Sequence, residues 1–435
     1  MLITEVIIVI LFLGLLLLIG TPVGISLGLI GLVGLVFQCG AVGFDIAVHS
    51  AMGSLNNFIL LAVPLFITMG VLLGKGGIGG KIYDVFDCFL KHLPGGVGIA
   101  TVFTCAVLSA MCGTSVAVAG MVGAFALPNM QKLGYSLPLS MGIVIGGGAL
   151  GILIPPSVPM ILYGAIAQES VGRLFLAGVG PGILAVILFS IYVFIAYRKE
   201  GGKVRKRALW SERWSALKEG IWGLLIPILI IILLYTGVAT PVEIAALGCI
   251  LALIVGFLIY KTINIRNIIS ILKEALSSSI MVLFIIAGAM ILAKYVTLAG
   301  IDKAVGNIFV GGNIPVWGFL LITMLIILVM GCFLEGASIM LIMLPVLILT
   351  IHAYGYDPYV YAILLVINIE CAMLTPPIGL NLFAVDGIAK SLNYPSTLGI
   401  AVKGSYPFLI IYLSIMLLVA IFPQIALWLP EHMIM

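Results

Sequence analysis

Ile154-Pro155-Pro156-Ser157 lies inside one long apolar segment, and 221 residues further on Thr375-Pro376-Pro377 lies inside another. Each proline lacks a backbone N–H, and its ring clashes with the preceding turn, so a spanning helix breaks at both places. Interruptions at corresponding positions of two halves are the sequence pointer to a substrate site in a secondary transporter. The chain is therefore expected to move a solute.

Composition agrees with membrane residence. Of 435 residues, 63% are hydrophobic and 8% charged, and the mean hydropathy is +1.34, which excludes a water-soluble domain of this size. At roughly 20 apolar residues per span, the hydrophobic material suffices for about ten crossings plus shorter pieces. A β-barrel would need alternating segments, and runs such as Val6 to Ile19 and Ile226 to Leu234 do not alternate. An all-α polytopic membrane protein is expected. No Lys or Arg precedes Lys75 and no small-residue cleavage site closes the apolar start, so the first segment is expected to remain as a span.

Basic residues set the expected orientation. Arg198, Lys199, Lys203, Arg205, Lys206, Arg207, Arg213 and Lys218 are eight of the twenty and crowd one connection, which the positive-inside rule places in the cytoplasm. Lys261, Arg266 and Lys273 form a second basic stretch two spans later, on the same side. Counting back puts the N-terminus outside. Residues 76–93 suit an amphipathic helix along the interface, with Lys81, Asp84, Asp87 and Lys91 among Ile82, Val85, Phe86 and Phe89.

The expected organisation is scaffold spans in 1–55, a first repeat in 56–197, the basic connection 198–220, further scaffold spans in 221–275, and a second repeat in 276–435. Spans are expected at 3–20, 22–37 and 56–74. Each repeat contains two short apolar pieces meeting at a polar tip, followed by a broken helix: hairpin 96–129 and break 138–167, then hairpin 314–353 and break 358–389. Duplicated landmarks, including Gly134-Tyr135 with Gly355-Tyr356, keep an offset of 218 to 226 residues. Because the halves start from opposite sides, they are expected to be inverted repeats, with the hairpins re-entering from opposite faces.

Hairpin tips and breaks put non-helical backbone at membrane depth, tolerable only where it lines a cavity or is buried in protein. The first tip, Ser109 to Ser115, combines hydroxyls with free carbonyls, which suits a hard cation such as sodium. Isolated Ser, Thr and Gly also serve close helix contacts, but the duplicated context favours binding at the tips. The second tip runs from Gly331 to Ser338, and Thr375 adds a hydroxyl there. Glu335 either takes part in that site or caps the following arm. Glu370 is a candidate for pairing within the bundle, and Asn381 for hydrogen bonding to substrate. Two G-x-G-x-x-G matches, Gly74 to Gly79 and Gly146 to Gly151, follow no strand and do not indicate a dinucleotide fold. Seven cysteines without a CxxC pair and four scattered histidines indicate no disulfide framework and no metal cluster. No catalytic pair is visible, so an enzyme is not expected; a passive channel is the remaining alternative.

The runs Thr375-Pro376-Pro377-Ile378-Gly379-Leu380-Asn381-Leu382-Phe383, Cys112-Gly113-Thr114-Ser115 and Ile154-Pro155-Pro156-Ser157 resemble the large membrane (M) subunit of tripartite ATP-independent periplasmic (TRAP) transporters over essentially the whole chain. The resemblance implies a sodium-coupled elevator in a bacterial inner membrane, with sodium ions as coupling ions and no organic cofactor. It further implies a small membrane subunit (Q), expected as a separate chain, and a soluble periplasmic binding protein that delivers an organic acid such as a C4-dicarboxylate or sialic acid. A stand-alone sodium/dicarboxylate symporter is the alternative of the same class, and no nucleic acid is involved. By position, the resemblance implies one sodium held by Ser109, Gly113, Thr114 and Ser115 with Pro155 and Pro156. It implies another held by Gly331, Glu335, Gly336 and Ala337 with Thr375 and Pro376, and substrate near Ser157 and Asn381. Hydroxyls of the first tip are replaced by Gly and Ala in the second, so backbone carbonyls are expected to do more there.

Overall fold

The computed structural model describes residues 2–202, 204–331, 334–377 and 379–433; Lys203 of the basic connection, Cys332 and Phe333 of the second tip, and Ile378 of the second break lie outside them. Among the described residues there are twenty α-helices and no strand. In chain order they are α1 (Leu2–Leu18), α2 (Val23–Cys39), α3 (Val42–Leu55), α4 (Ala62–Lys75), α5 (Ile78–Leu90), α6 (Gly96–Cys112), α7 (Ser115–Lys132), α8 (Leu137–Gly148), α9 (Val158–Ala167) and α10 (Val171–Lys199). Then come α11 (Trp210–Tyr235), α12 (Pro241–Ile254), α13 (Ile265–Ala299), α14 (Ile301–Gly306), α15 (Val316–Gly331), α16 (Gly336–Ala353), α17 (Pro358–Met373), α18 (Leu380–Ser391), α19 (Leu398–Ile421) and α20 (Gln424–Glu431). Seven helical segments within the described residues are long and apolar enough to cross a membrane, with shorter apolar helices between them. The chain is a multi-pass membrane protein.

The order α4 to α10 is repeated by α13 to α19. Each repeat has a leading helix, a short amphipathic or connecting helix, a hairpin (α6–α7, α15–α16), a broken helix (α8/α9, α17/α18) and a closing span. An α-helix rises about 1.5 Å per residue, so the 16 to 18 residues of a hairpin arm are marginal against a hydrocarbon core roughly 30 Å thick, and among the described arms α16 alone is one of the seven segments long and apolar enough to cross. The hairpins interlock across the repeats: α7 packs on α18, and α16 on α9. This exchange is what inverted repeats produce when their half-helices cross at the centre. The breaks match the proline positions. After α8 a single 3-10 turn covers Ala149–Ile152 before the chain opens at Leu153 to Ser157, and both Pro155-Pro156 and Pro376-Pro377 are cis.

Closing spans tie the repeats together. Phe189 of α10 meets Phe408 and Tyr412 of α19 edge-on, with centroids 5.0 Å apart in each pair. Gly142 of α8 and Gly404 of α19 let two backbones touch: a Cβ on Gly404 would lie 2.0 Å from the Pro138 carbonyl oxygen, and one on Gly142 2.1 Å from that of Gly404. The remaining helices lie outside this centre, with α2 and α3 against α13, α12 against α4, and α11 against α5.

Several helix limits differ from the sequence expectation. Residues 42–55 form α3, which the sequence reading marks neither as a span nor as an interface helix; Asp45, His49, Ser50 and Ser54 dilute its apolar character. Helix α11 starts at Trp210 rather than near 221, held by the Glu212 carboxylate accepting from the Leu209 backbone N–H at 3.1 Å, so the non-helical part of the basic connection is shorter than 198–220. Helix α13 starts at Ile265, where the Asn264 side chain accepts from Arg266 and Asn267 N–H, so residues 265–275 belong to the second repeat's leading helix. Hydropathy marks where the membrane starts, whereas capping marks where the helix starts. The last span divides at Phe422-Pro423 into α19 and α20, since a proline N terminates the ladder.

Helix α5 buries Ile78, Ile82, Tyr83 and Val85, while its charges reach the basic connection. Lys81 pairs with Glu219 at 2.5 Å, Lys91 with Glu212 at 3.3 Å, and Asp87 with Arg205. The Thr262 hydroxyl donates to the Gly76 carbonyl at 2.8 Å, bringing the second basic stretch to the end of α4. All these charges therefore gather at one end of the molecule.

Candidate functional site

Both hairpin tips open into one cavity of about 610 Å³. From the first repeat it is lined by Cys112 to Ala117 and by Ile152, Val158 and Pro159 at the break; from the second by Glu335 to Ala337, Met373 and Leu380. One wall is α4, through Ile67, Gly70, Gly74 and Lys75, and the other is α13, through Glu274, Ser278 and Met281. Lys75 and Glu274 pair at 3.2 Å across the rim and are both about half exposed.

The first tip is shaped by Gly113, whose φ of +67° ends α6 in the left-handed conformation that glycine adopts without steric cost. A Cβ there would stand 3.1 Å from the Pro156 carbonyl oxygen, and the Val158 N–H donates to the Gly113 carbonyl at 3.4 Å. Tip and break are therefore in direct backbone contact. Thr114, extended at φ −140°, precedes α7 without capping it, and it lines the cavity. In the 3-10 turn before the break, Gly151 packs on Ser115 so closely that a Cβ would approach its Cα to 2.6 Å.

Hydroxyl protons here are already committed. Ser109 Oγ donates to the Cys105 carbonyl at 2.6 Å, Thr375 Oγ1 to the Cys371 carbonyl at 2.7 Å, and Ser115 Oγ to the Glu370 carboxylate. Each oxygen is left with lone pairs only. An all-oxygen set of neutral acceptors of this kind fits a hard, singly charged cation better than a soft metal. Among the described residues no three His, Cys, Asp or Glu side chains converge, and the six described cysteines are free thiols.

The second tip is built differently. Gly331 ends α15 against Ala372, to which a Cβ would approach within 2.3 Å. Glu335 precedes α16 at φ −76° and makes no capping bond, and its Oε1 is buried without a partner. The capping role considered for Glu335 is therefore not taken up. Pro155 and Pro156 are buried whereas Pro376 and Pro377 are exposed, so the second break is the more open of the two.

Of the residues singled out from the sequence, the cavity lining includes Gly113, Thr114, Ser115, Glu335, Gly336 and Ala337. Ser109, Pro155, Pro156, Gly331, Thr375 and Pro376 stand behind it, on the arms and breaks that form its walls. Ser157 and Asn381 do not line it. Both are fully buried, and Ser157 Oγ and both polar atoms of the Asn381 side chain have no hydrogen-bond partner. Lys75, the last residue of α4, and Glu274, in the third turn of α13, are lining residues that the sequence marks only by their charge. Glu370 pairs within the bundle, as the sequence reading favours, and its partner is Ser115 of the opposite repeat, 255 residues away.

Inverted repeats whose hairpins and broken helices enclose a central cavity define a secondary transporter of solutes. Comparison with known proteins places the chain within that class. Residues 8–425 match the family model "Tripartite ATP-independent periplasmic transporter, DctM component", and the chain belongs to that family. It is 33% identical over 430 residues to the C4-dicarboxylate TRAP transporter large permease protein DctM of Rhodobacter capsulatus, covering 96% of each chain. It is 30% identical to the sialic acid TRAP transporter large permease protein SiaM of Vibrio cholerae, covering 95% of each. Among solved structures, the YdaH transporter of Alcanivorax borkumensis superposes with a TM-score of 0.64 at 13% identity, over 89% of this chain and 90% of that one, a likeness of fold. The chain is thus a large permease subunit for secondary transport, and its relatives are permeases rather than enzymes.

Proposed function

We propose that this subunit takes up an organic acid across the bacterial inner membrane, driven by sodium and by an elevator motion. In this proposal it works with a separate small membrane subunit and a soluble periplasmic binding protein. The observation that carries the proposal is the meeting of two tips from opposite repeats in one cavity, where the lining residue Ser115, with Ser109 and Thr375 on the elements behind it, has already donated its hydroxyl proton elsewhere. The first sodium is assigned to Ser109, Gly113, Thr114 and Ser115 with Pro155 and Pro156. The second is assigned to Gly331, Glu335, Gly336 and Ala337 with Thr375 and Pro376, where Glu335 brings the negative charge that Gly and Ala cannot.

Two helix N-termini, of α7 and α16, face the same cavity and put partial positive charge toward an anion. The two relatives carry names for C4-dicarboxylate and sialic acid, both carboxylates. In the elevator, the hairpins and broken helices move as one body against α1 to α3, α11 and α12, which meet that body chiefly through α4, α5 and α13. By the positive-inside rule, the end bearing Lys75, Arg205 and Lys261 is cytoplasmic and the N-terminus periplasmic. The cavity rim then opens inward.

Proteoliposomes holding the permease and its small subunit, with the binding protein outside, test the proposal. An inward sodium gradient is expected to drive accumulation of the delivered acid above its outside concentration, and an equal potassium gradient to drive none. Accumulation that is equal in potassium would refute sodium coupling, and simple equilibration in both salts would indicate a channel.

Asn381, which does not line the cavity in this conformation, is assigned in this proposal to the substrate on the strength of its buried, unpartnered amide and supplies a separate prediction. Its buried, unpartnered amide costs roughly 1–3 kcal/mol of fold stability, so Asn381→Leu is expected to leave thermal stability unchanged or raised while uptake falls. Lower stability together with normal uptake would remove Asn381 from the substrate site.

A further inference from the structure

Glu370 is the one acidic residue of the described chain with no exposed surface at all. It projects from the last turn of α17, five residues before Thr375. One carboxylate oxygen accepts the hydroxyl proton of Ser115, the first residue of α7, and the other has no partner. The bond crosses from the second repeat to the first tip. Shifting by the 221 residues that relate the prolines puts Gly336 where Ser115 stands and Ala149 where Glu370 stands. Both members of the pair are thus missing from the other repeat. A Cβ on Gly336 would already lie 2.7 Å from the Ile369 side chain, so that place has no room for a serine.

A serine hydroxyl has one proton and two lone pairs. If the proton were free to rotate toward the tip, the oxygen would present a donor, which repels a cation. Bonded to Glu370, the proton is held away, and the polarised oxygen turns its lone pairs elsewhere. Outer partners of this kind fix and strengthen the groups that contact an ion. We infer that Glu370 is a positioning residue for the sodium site at the first hairpin tip, acting through Ser115. This role rests on the sodium-coupled reading above, and it belongs to one tip only because the pair is absent from the other.

The test is sodium-dependent thermal stabilisation of the full permease with its small subunit, titrated with NaCl against KCl at constant ionic strength. A ligand that binds only the folded state raises the melting temperature by mass action. Glu370→Ala is expected to raise the sodium concentration for half-maximal stabilisation by about tenfold or more, and Ser115→Ala by a similar factor. The double variant is expected to be no worse than either single one, because both remove the same contact. Glu370→Gln keeps an oxygen that can accept the Ser115 proton and is expected to shift the midpoint far less than Glu370→Ala.

A purely structural bond would lower the melting temperature in potassium and leave the sodium midpoint in place, which would overturn the inference. Additive effects in the double variant would overturn it as well. So would a Glu370→Gln midpoint as poor as that of Ser115→Ala, since the charge itself would then be the ligand; this comparison holds even if Glu370→Ala does not fold. If the unmodified protein gains no more from sodium than from potassium, sodium coupling fails and this role falls with it. That outcome is distinguishable, because it appears without any substitution.

Discussion

Gly404→Val is expected to prevent assembly of the two repeats, with little protein surviving extraction in mild detergent and a sharply lowered melting temperature in what does. Helices α8 and α19 meet backbone to backbone at Gly142 and Gly404, and even a Cβ at Gly404 would lie 2.0 Å from the Pro138 carbonyl oxygen. Neither neighbour is the end of a flexible side chain, so relief requires moving a whole helix. Overpacking of a tight interior costs roughly 1–3 kcal/mol where side chains can adjust, and more where they cannot. Moving α19 also strains the Phe189–Phe408–Tyr412 cluster that joins the closing spans. Melting of the purified variant by light scattering or intrinsic fluorescence checks this. A melting temperature within a degree or two of the unmodified protein would show that the crossing is not a constraint.

Thr114→Val is expected to have the largest functional effect without a stability cost. Threonine and valine share one shape. The Thr114 hydroxyl neither caps α7 nor is buried away from the cavity, so the fold loses little. The proposed sodium site loses an oxygen. The sodium concentration giving half-maximal uptake is expected to rise by about tenfold or more, which corresponds to ~1.4 kcal/mol, while Thr114→Ser stays near the unmodified value. Initial uptake rates against sodium at fixed acid and binding protein measure it. Unchanged sodium dependence in Thr114→Val would take Thr114 out of the ion site.

Much of this architecture is legible in the sequence because membrane folds interrupt helices with few residue types. Pro155-Pro156 and Pro376-Pro377, and the glycines at the two tips, recur at offsets within a few residues of one another, and the duplicated order of α4 to α10 and α13 to α19 follows from them. Other features depend on tertiary neighbours. The same Pro-Pro pair is buried in one repeat and exposed in the other, a difference set by what packs over it. The starts of α11 and α13 are fixed by Glu212 and Asn264 caps outside the apolar runs. Helix α3 is too polar for hydropathy to mark as a span. Glu370 was visible as a buried-segment acid, but only the fold brings Ser115 to it, and only the fold puts Lys75 and Glu274 on the rim of the cavity.

Sodium entry and acid entry measured together in the same proteoliposomes test the central claim most directly. With binding protein and acid present, radioactive sodium is expected to enter in a fixed ratio to acid, to stop when either acid or binding protein is left out, and to lose that ratio in Thr114→Val. Acid accumulation with no net sodium entry would contradict ion binding at the hairpin tips as the driving step.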